Sequence, residues 1–473
     1  MSDTHASGTT AATDALRARL DEAFPALLDE LKALVAIPSI SSDPDHRADV
    51  DASAEHLRQR FEALGMSARV LSEDAPDGTA GMPAVVARGP RVEGAPTVLL
   101  YAHHDVQPTG DVSRWSLSPF EAEVRGDRIY GRGASDDGAG VVVHLGCMAL
   151  LGERPPVNVV VYVEGEEEIG SPSFTAFLDA HRDELAADVI VVADSSNWKA
   201  GEPAVTSTLR GNAIATVDVT VADHAVHSGA FGGPLLDSVV VSSMLISSLF
   251  DADGSVAVEG LGGRDDADVV WDEADFRAAA GVVDGVRLAG TGDLAARVWT
   301  KPSITVIGFD ARSVRDASNT ISPHTRFRLS LRTVPGADPD EALDKLAAHL
   351  RAHAPFGARV EVEKNDGGNG FQADMDSPVS SLLHECLTEA WGTPSVNIGV
   401  GGSIPFIADL REVFPEAEIL VTGIEDPDTR AHSHNESLHL GDWRNAIVAE
   451  ALLLDRLAEG GLSRSGGAGG PAE

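Results

Sequence analysis

The sequence predicts an α/β protein of two domains, one of them inserted into the other. Three observations support this prediction. The chain has 473 residues, more than one ordinary core requires. Strongly apolar strands alternate with helices in its N-terminal part, and a stretch of a different pattern interrupts this alternation before it resumes. We therefore expect a discontinuous domain with a mostly parallel sheet covered by helices on both faces, and a smaller inserted α+β domain.

The N-terminal part begins with two amphipathic helices, predicted at 13–36 and about 52–64. Alternating strands and helices follow. They are predicted at 97–102, 138–151, 157–163, 172–182 and 188–193. The strands are nearly continuous runs of Val, Ile and Leu, which is typical of parallel strands buried on both faces.

The residues after Thr208 show a different pattern. The segment "AIATVDVTVA" alternates apolar and polar residues, so one face of this strand is expected to be solvated. Helices and strands follow in the order helix, strand, strand, helix, strand. They are predicted at 234–250, 303–309, 325–334, 338–353 and 358–363. This β-α-β-β-α-β order predicts a ferredoxin-like domain, with the Asp- and Gly-rich stretch 251–300 inserted into it.

The first pattern returns near residue 377, with a helix at 377–391, a strand at 418–423 and a helix at 440–458. This return sets the predicted domain boundaries. The larger domain comprises 1–208 and 373–462, the inserted domain comprises 209–372, and 463–473 is a disordered tail.

Composition and charge exclude several classes of protein. The formal net charge of −38 opposes binding to nucleic acid and to anionic membranes. No apolar run reaches the ~18 residues that a membrane span needs, and the polar N-terminus does not resemble a signal peptide. Cys147 and Cys386 lie in apolar helical patterns, which predicts buried free thiols. We expect a cytoplasmic protein without a nucleic-acid or membrane partner.

Acidic and histidine residues follow four strands of the larger domain. In the order of the strands they are His103 and Asp105; Glu164, Glu166, Glu167 and Glu168; Asp194; and His432 and His434. Sites in open α/β sheets lie beyond the carboxyl ends of the strands. Carboxylates and imidazoles that converge from four strands therefore predict a site for divalent metal.

The spacing of the histidine and the aspartate that follow the first strand is also informative. His103 and Asp105 are two residues apart, so they share a face while the chain stays extended. Asp105 is therefore expected to accept the spare ring N–H of His103 and to fix its tautomer. His104 points the other way and is not expected to be a ligand.

Eight motifs together resemble the co-catalytic di-zinc exopeptidase family, in particular its carnosine dipeptidase and cytosolic non-specific dipeptidase branch. They are "YAHHDVQP", "YGRGASDDG", "EGEEEIGSP", "VVADS", "HSGAFGG", "LRTVP", "GGSIP" and "AHSHNE". The resemblance runs from about residue 15 to 460. It implies that the larger domain is a zinc-exopeptidase-like catalytic domain and that the inserted domain is a lid and dimerisation domain.

The resemblance also implies a di-metal site with two divalent ions, Zn²⁺ with Mn²⁺ or Co²⁺ as alternatives. The implied ligands are His103 and Asp194 for one ion, Glu168 and His432 for the other, and Asp136 for both. Position in the motif favours His432 over His434. Glu167 is implied as the general base for a water activated by the two metals, and the bond from Asp136 to Asp137 is implied to be cis.

The resemblance further implies which residues act on or bind the substrate. His227 is implied to stabilise the oxyanion from the partner subunit of a homodimer. Arg332 and Asn319 are implied to bind the substrate, with Arg332 on its terminal carboxylate, and the same carboxylate meets a loop of Gly401, Gly402 and Ser403. The chain departs from the family where Gly138 and Ala139 follow the two aspartates, because members often have a lysine there.

Three functions remain open at this point. The first is a metallo-dipeptidase, which hydrolyses dipeptides with a metal-activated water and a Glu base. The second uses the same machinery as an N-acyl-amino-acid hydrolase, of the aminoacylase or desuccinylase kind. The third is a non-catalytic metal-binding relative, which the presence of Glu167 and all five ligand candidates disfavours. No motif identifies what recognises the amino end of the substrate, so the first two are not separated.

Overall fold

The computed structural model describes residues 3–402 and 405–460. Ser403 and the predicted tail at 463–473 lie outside the described residues. The helices of the described part are α1 Asp3–Val35, α2 Arg47–Ala63, α3 Gly138–Leu151, α4 Phe174–Ala180, α5 Arg182–Leu185, α6 Ser228–Phe231, α7 Ser238–Ser247, α8 Glu273–Ala280, α9 Leu294–Trp299, α10 Pro339–Ala352, α11 Pro378–Trp391, α12 Pro405–Val413 and α13 Leu440–Gly460.

The strands alternate with these helices along the chain. They are β1 Ser67–Leu71, β2 Ala84–Arg88, β3 Thr97–His103, β4 Glu123–Arg125, β5 Arg128–Tyr130, β6 Asn158–Glu164, β7 Val189–Val192, β8 Ala204–Leu209, β9 Gly211–Thr220, β10 Val226–His227, β11 Ser303–Phe309, β12 Thr320–Ile321, β13 His324–Thr333, β14 Arg359–Gly368, β15 Phe371–Gln372, β16 Val396–Val400, β17 Glu418–Val421 and β18 Ser437–His439.

The chain divides into two compact units. Of the described residues, unit 1 contains those of Met1–Thr206, Asp374–Val396 and Asp409–Glu473, and unit 2 contains those of Ser207–Ala373 and Asn397–Ala408. The predicted boundaries assigned the segment Asn397–Ala408 to the larger domain, whereas its described residues belong to unit 2. It belongs to unit 2 because β16 pairs with β8, whose other neighbour in this small sheet is β15.

Unit 1 is built on a six-stranded sheet in the order β1-β2-β6-β3-β7-β17. The neighbours β6, β3, β7 and β17 are parallel to one another. Near one edge, β2 pairs antiparallel with both β6 and the edge strand β1. Apolar residues on one face, such as Leu100 and Val161, join the core formed with α1, α3, α11 and α13. On the other face, Tyr162 stacks on Phe177 of α4. The predicted mostly parallel sheet with helices on both faces is therefore confirmed, and four parallel strands end at the same edge.

Unit 2 contains a four-stranded antiparallel sheet in the order β11-β13-β9-β14. Alternate residues of β9, such as Ala215 and Val217, are buried and form a core with Leu329 of β13 and Leu346 of α10. The elements β9, α7, β11, β13, α10 and β14 follow one another in the β-α-β-β-α-β order. The stretch 251–300 carries the two additional helices α8 and α9.

Two further observations concern the expectations from composition. Across 3–402 and 405–460, no helix is both long enough and apolar enough to cross a membrane. Cys147 and Cys386 are buried free cysteines, as their position in apolar helical patterns predicted.

Candidate metal centre

The carboxyl-terminal edge of the sheet in unit 1 collects the side chains that the strands deliver. His103 is the last residue of β3, and Asp194 lies two residues beyond β7. A short 3-10 turn, Glu167–Ile169, follows β6, and His432 lies in the loop after β17. Because the four strands are parallel neighbours, these side chains meet at one edge.

Two groups of potential metal ligands lie at this edge. Among the described residues, each group has its ligand atoms within 4.8 Å of one another: His103, Asp137 and Asp194 in the first group, and Asp136, Glu168 and His432 in the second. The structure thus brings all five predicted ligands together. Carboxylate oxygens and imidazole nitrogens at such spacing are the donor set that Zn²⁺ and similar divalent ions prefer, so the residues present fit a metal site.

Asp136 lies between the two groups. Its Oδ1 is 3.1 Å from Nε2 of His103, and its Oδ2 is 2.9 Å from Nε2 of His432. The same nitrogen of His432 is 3.2 Å from Oε2 of Glu168. One carboxylate therefore faces both histidines, which is the position required of a ligand shared by two ions.

Asp137 was not assigned by the sequence. Its Oδ1 accepts the backbone N–H of Gly140 at 3.2 Å and so caps α3, and its Oδ2 accepts the backbone N–H of His103 at 3.1 Å. These bonds fix the position of the Asp137 carboxylate within the first group. The peptide bond between Asp136 and Asp137 is cis, as the family resemblance implied.

Negative charge accumulates at this edge. Burial, together with the carboxylates of Asp136 and Glu168, raises the pKa of Asp194 to about 6, although His103 acts in the opposite direction. Burial and the neighbouring Asp194 raise the pKa of Glu167 to about 9. Hydrogen bonds to Asp136 and Glu168 raise the pKa of His432 to about 11. All three pKa values are raised by neighbouring carboxylates, and a bound cation would counter this accumulated negative charge.

Asp105 organises the neighbourhood of His103. Nδ1 of His103 is 3.0 Å from the backbone oxygen of Asp105 and 3.4 Å from its carboxylate. The sequence predicted the carboxylate as the acceptor, whereas the closer acceptor is the carbonyl. With Nδ1 directed at this carbonyl, Nε2 is the ring nitrogen that faces Asp136 and would bind a metal ion.

Three acidic residues of the "EGEEE" run, Glu164, Glu166 and Glu168, have different hydrogen-bond partners. Glu166 is buried and accepts hydrogen bonds from the backbone of Met82 and from Ser173, so it is structural. Glu164 accepts hydrogen bonds from the hydroxyls of Tyr101 and Ser171. Glu168 accepts hydrogen bonds from both the backbone and the side chain of Gln107, at 3.1 and 2.8 Å.

The other histidines of these motifs have different partners. His104 is buried, and its Nε2–H donates to the carbonyl of Pro83 at 2.9 Å. His434 belongs to neither group of potential ligands among the described residues. Its Nδ1 lies 3.4 Å from the hydroxyl of Ser433. The geometry therefore favours His432 as the ligand of this motif.

Glu425 was missed by the sequence. It lies in the loop after β17, and its Oε1 is buried without a hydrogen-bond partner in the described part of the chain. Burial and the nearby carboxylates of Asp136 and Asp194 raise its pKa well above the usual range. Its place just beyond a strand that leads to the site is the signal that could have identified it.

The residues predicted to bind substrate lie in unit 2. His227 ends β10, and its Nδ1 accepts the backbone N–H of Gly229 at 3.0 Å. The next N–H, of Ser228, donates to the carbonyl of Asn319 at 3.0 Å, so His227 and Asn319 are near neighbours. The roles of both residues remain predictions.

Arg210 lies close to the two remaining features predicted to bind substrate, which are Arg332 and the loop of Gly401 and Gly402. Nε of Arg210 donates to the carbonyl of Gly401 at 3.0 Å. Burial and the charge of Arg332 lower the pKa of Arg210 to about 10. Arg210, Arg332 and the loop of Gly401 and Gly402 therefore form one basic region, in which Arg210 was not predicted.

Comparisons with known proteins were consistent with one another. The model of peptidase family M20/M25/M40 matches residues 99–456. Cysteinylglycine-S-conjugate dipeptidase of Corynebacterium striatum is 33% identical over 440 residues, covering 90% of this chain and 94% of that protein. Beta-Ala-His dipeptidase of Rattus norvegicus is 25% identical over 436 residues, with coverages of 86% and 88%. The crystal structure of human carnosine dipeptidase 1 is similar with a TM-score of 0.71 at 23% identity, over 94% of this chain and 99% of that one.

Proposed function

Because the chain belongs to peptidase family M20/M25/M40 and is a peptide-bond hydrolase, we propose that it is a metallo-dipeptidase that depends on two divalent ions. The observation that carries the proposal is the position of Asp136, whose two carboxylate oxygens face His103 and His432. The similar dipeptidases and the motifs that resemble the dipeptidase branch support the substrate class.

Each residue of the cluster has a proposed task. His103 and Asp194 hold one ion, Glu168 and His432 hold the other, and Asp136 holds both. When bound, two divalent ions polarise the peptide carbonyl and lower the pKa of a water molecule. We propose Zn²⁺, with Mn²⁺ and Co²⁺ as alternatives.

Glu167 is proposed to move the proton. As the general base, its carboxylate takes a proton from the attacking water, and as the acid it gives this proton to the leaving amine. The position of its backbone supports the role, because Oδ1 of Asp105 accepts the backbone N–H of Glu167 at 3.1 Å and so fixes the turn that places Glu167 next to the proposed ligand Glu168.

The basic region of unit 2 is proposed to bind the terminal carboxylate of the dipeptide. Arg332 clamps this carboxylate, and Asn319 and the loop of Gly401, Gly402 and Ser403 complete the contact. Arg210 contributes a second positive charge beside Arg332.

A homodimer formed through unit 2 is the proposed assembly, with His227 acting on the oxyanion of the partner subunit. Two features of unit 2 support an association surface. The edge strand β11 exposes the apolar side chains of Ile307 and Val306, and α7 exposes Val240 and Met244. An unpaired edge beside exposed apolar side chains favours pairing with another copy. The cytoplasmic location expected from the sequence stays a prediction.

The alternatives differ in the substrate that they predict. An N-acyl-amino-acid hydrolase would cleave substrates without a free amino group, and a non-catalytic relative would cleave nothing. The purified protein is assayed on dipeptides and on the matching N-acetyl and N-succinyl amino acids, each with Zn²⁺, Mn²⁺ and Co²⁺. A kcat/KM at least tenfold higher for dipeptides is expected. Preference for the acylated series contradicts the proposal, and absence of any turnover in all metals supports the non-catalytic alternative.

A further inference from the structure

A buried ion pair lies behind the candidate metal centre and has no role in the proposed chemistry. Nη1 of Arg132 donates to Oε2 of Glu436 at 2.7 Å, and the two side chains are 1% and 0% exposed. Buried ion pairs contribute little to stability on average, because desolvation offsets the attraction. Stability alone therefore does not explain the pair, and the contacts of each partner point to a function.

The carboxylate of Glu436 holds the turn that carries Asp136. Oε2 accepts the backbone N–H of Gly133 at 3.0 Å, and Oε1 accepts those of Ser135 at 2.9 Å and Asp136 at 3.1 Å. Together with Arg132, these three N–H groups fill the acceptor sites of the carboxylate. The backbone from which the Asp136 side chain projects is thus attached to Glu436.

Arg132 holds the loop that carries His432. Its Nη2 donates to the carbonyl of Ser433 at 3.1 Å and approaches that of Pro108, in the loop after β3, at 3.4 Å. His432 has a φ of 57°, in the left-handed region that a non-glycine residue occupies only when its surroundings hold it there. The bond to the neighbouring Ser433 is one such constraint.

We propose that Arg132 and Glu436 are positioning residues that pre-organise the metal site formed by Asp136, Glu168 and His432. The inference rests on the proposed di-metal function. It predicts that loss of the pair weakens this site more than the site of His103 and Asp194. Two ligands of the former, Asp136 and His432, depend on the pair through their backbones. The latter shares only Asp136, because His103 is oriented by Asp105 and Asp194 follows the interior strand β7.

The experiment measures Zn²⁺ binding to the metal-free full-length protein. The test variant is Arg132→Met/Glu436→Gln, which avoids leaving one buried charge without its partner. Arg132→Lys is a milder second variant that keeps the charge and loses the fork reaching Ser433 and Pro108.

A closely matched control is Arg128→Met/Asp426→Asn. This pair is also largely buried, with a separation of 2.9 Å. Arg128 is the first residue of β5 and Arg132 lies two residues after that strand, and both arginines bind carboxylates of the loop between β17 and β18. The other contacts of Arg128 are with Ser437, and none of them holds the backbone of a proposed ligand.

Calorimetric titration and metal content are expected to show two sites in the wild type. In the test variant, one site should be about 10–100-fold weaker, the range found when residues that orient ligands are replaced. The other site should change less than tenfold, and excess Zn²⁺ should restore activity. Arg132→Lys should show a smaller loss at the same site, and the control should keep both affinities even if its melting temperature falls.

Two results would overturn the inference. One is equal weakening of both sites in step with the melting temperature of the metal-free variants. The other is an equal loss in the control, which would make the pair merely structural. If the test variant does not fold, a selective loss in Arg132→Lys supports the inference and unchanged binding overturns it. Failure of the proposed function looks different, because the wild type itself would then not bind two ions.

Discussion

The backbone N–H of Glu167 donates a hydrogen bond to Oδ1 of Asp105 at 3.1 Å. The next N–H, of Glu168, donates to Oδ2 of the same carboxylate, also at 3.1 Å. The carbonyl of Asp105 lies 3.0 Å from Nδ1 of His103. One residue therefore orients a proposed ligand on β3 and holds the turn that carries the proposed base and a second ligand.

The first prediction follows from this arrangement. Asp105→Asn keeps the backbone carbonyl but replaces one acceptor oxygen by an N–H₂ group, so one of the two N–H groups of the turn loses its partner. We expect kcat to fall by about 10–100-fold. Steady-state kinetics with matched metal content checks this. The control Asp111→Asn alters an exposed aspartate farther along the same loop and should leave kcat within twofold. Unchanged kcat in Asp105→Asn would show that the turn is held by other contacts.

The second prediction separates the base from the ligand. Glu168→Ala should lower the metal content, because it removes a proposed ligand. Glu167→Gln should retain both metals and the fold and should lose at least ~10²–10⁴ in kcat, as expected for a positioned general base. Elemental analysis and kinetics on both variants provide the test. Equal metal loss in the two variants would mean that the roles are wrongly assigned.

The third prediction concerns metal removal. With five proposed protein ligands that include the shared Asp136, the purified protein should contain about two divalent ions per chain. Dialysis against a chelator should abolish hydrolysis, and added Zn²⁺, Mn²⁺ or Co²⁺ should restore it. Full turnover by protein that elemental analysis finds free of metal would rule out a metal-dependent mechanism.

The fourth prediction concerns pH and stability. Burial raises the pKa of Glu164 to about 8 in the metal-free protein, against about 4.5 when unfolded. Between these values the folded state keeps a proton that the unfolded state has lost. Its contribution therefore makes the free energy of unfolding fall as pH rises, by at most about 1.4 kcal/mol per pH unit. Glu164→Gln should flatten this dependence between pH 5 and 8 in chemical denaturation. Parallel curves for variant and wild type would contradict it.

The fifth prediction concerns the dimer. His227→Ala and Glu167→Gln should each be nearly inactive while retaining both metals. After subunit exchange, each mixed dimer has one site with an intact Glu167 that receives an intact His227. Random exchange makes half of the dimers mixed, so activity should recover to about one quarter of wild type. Mixed dimers without activity, or a monomeric protein, would show that His227 does not act across subunits.

Much of the fold could be predicted because local patterns specify it. Helix α3 and strand β11 have the predicted bounds, and their apolar patterns are nearly complete within the segments themselves. The predicted helix at 172–182 was wrong in extent, since the structure has α4 and α5 separated at His181. The small sheet of β18, β5 and β4 was missed, because three residues per strand carry too little pattern.

The sequence by itself determined the class of the protein, its apolar strands and the side chains at their ends. The reason is physical: hydrophobic period and the polarity change at a strand end are local properties of the chain. The tertiary structure alone decided which of these side chains are held in place. Glu436 and Asp136 are 300 residues apart and meet through a backbone N–H, and Arg132 reaches Ser433 over 301 residues. Contacts to backbone leave no signal in residue type, so only the folded chain reveals them.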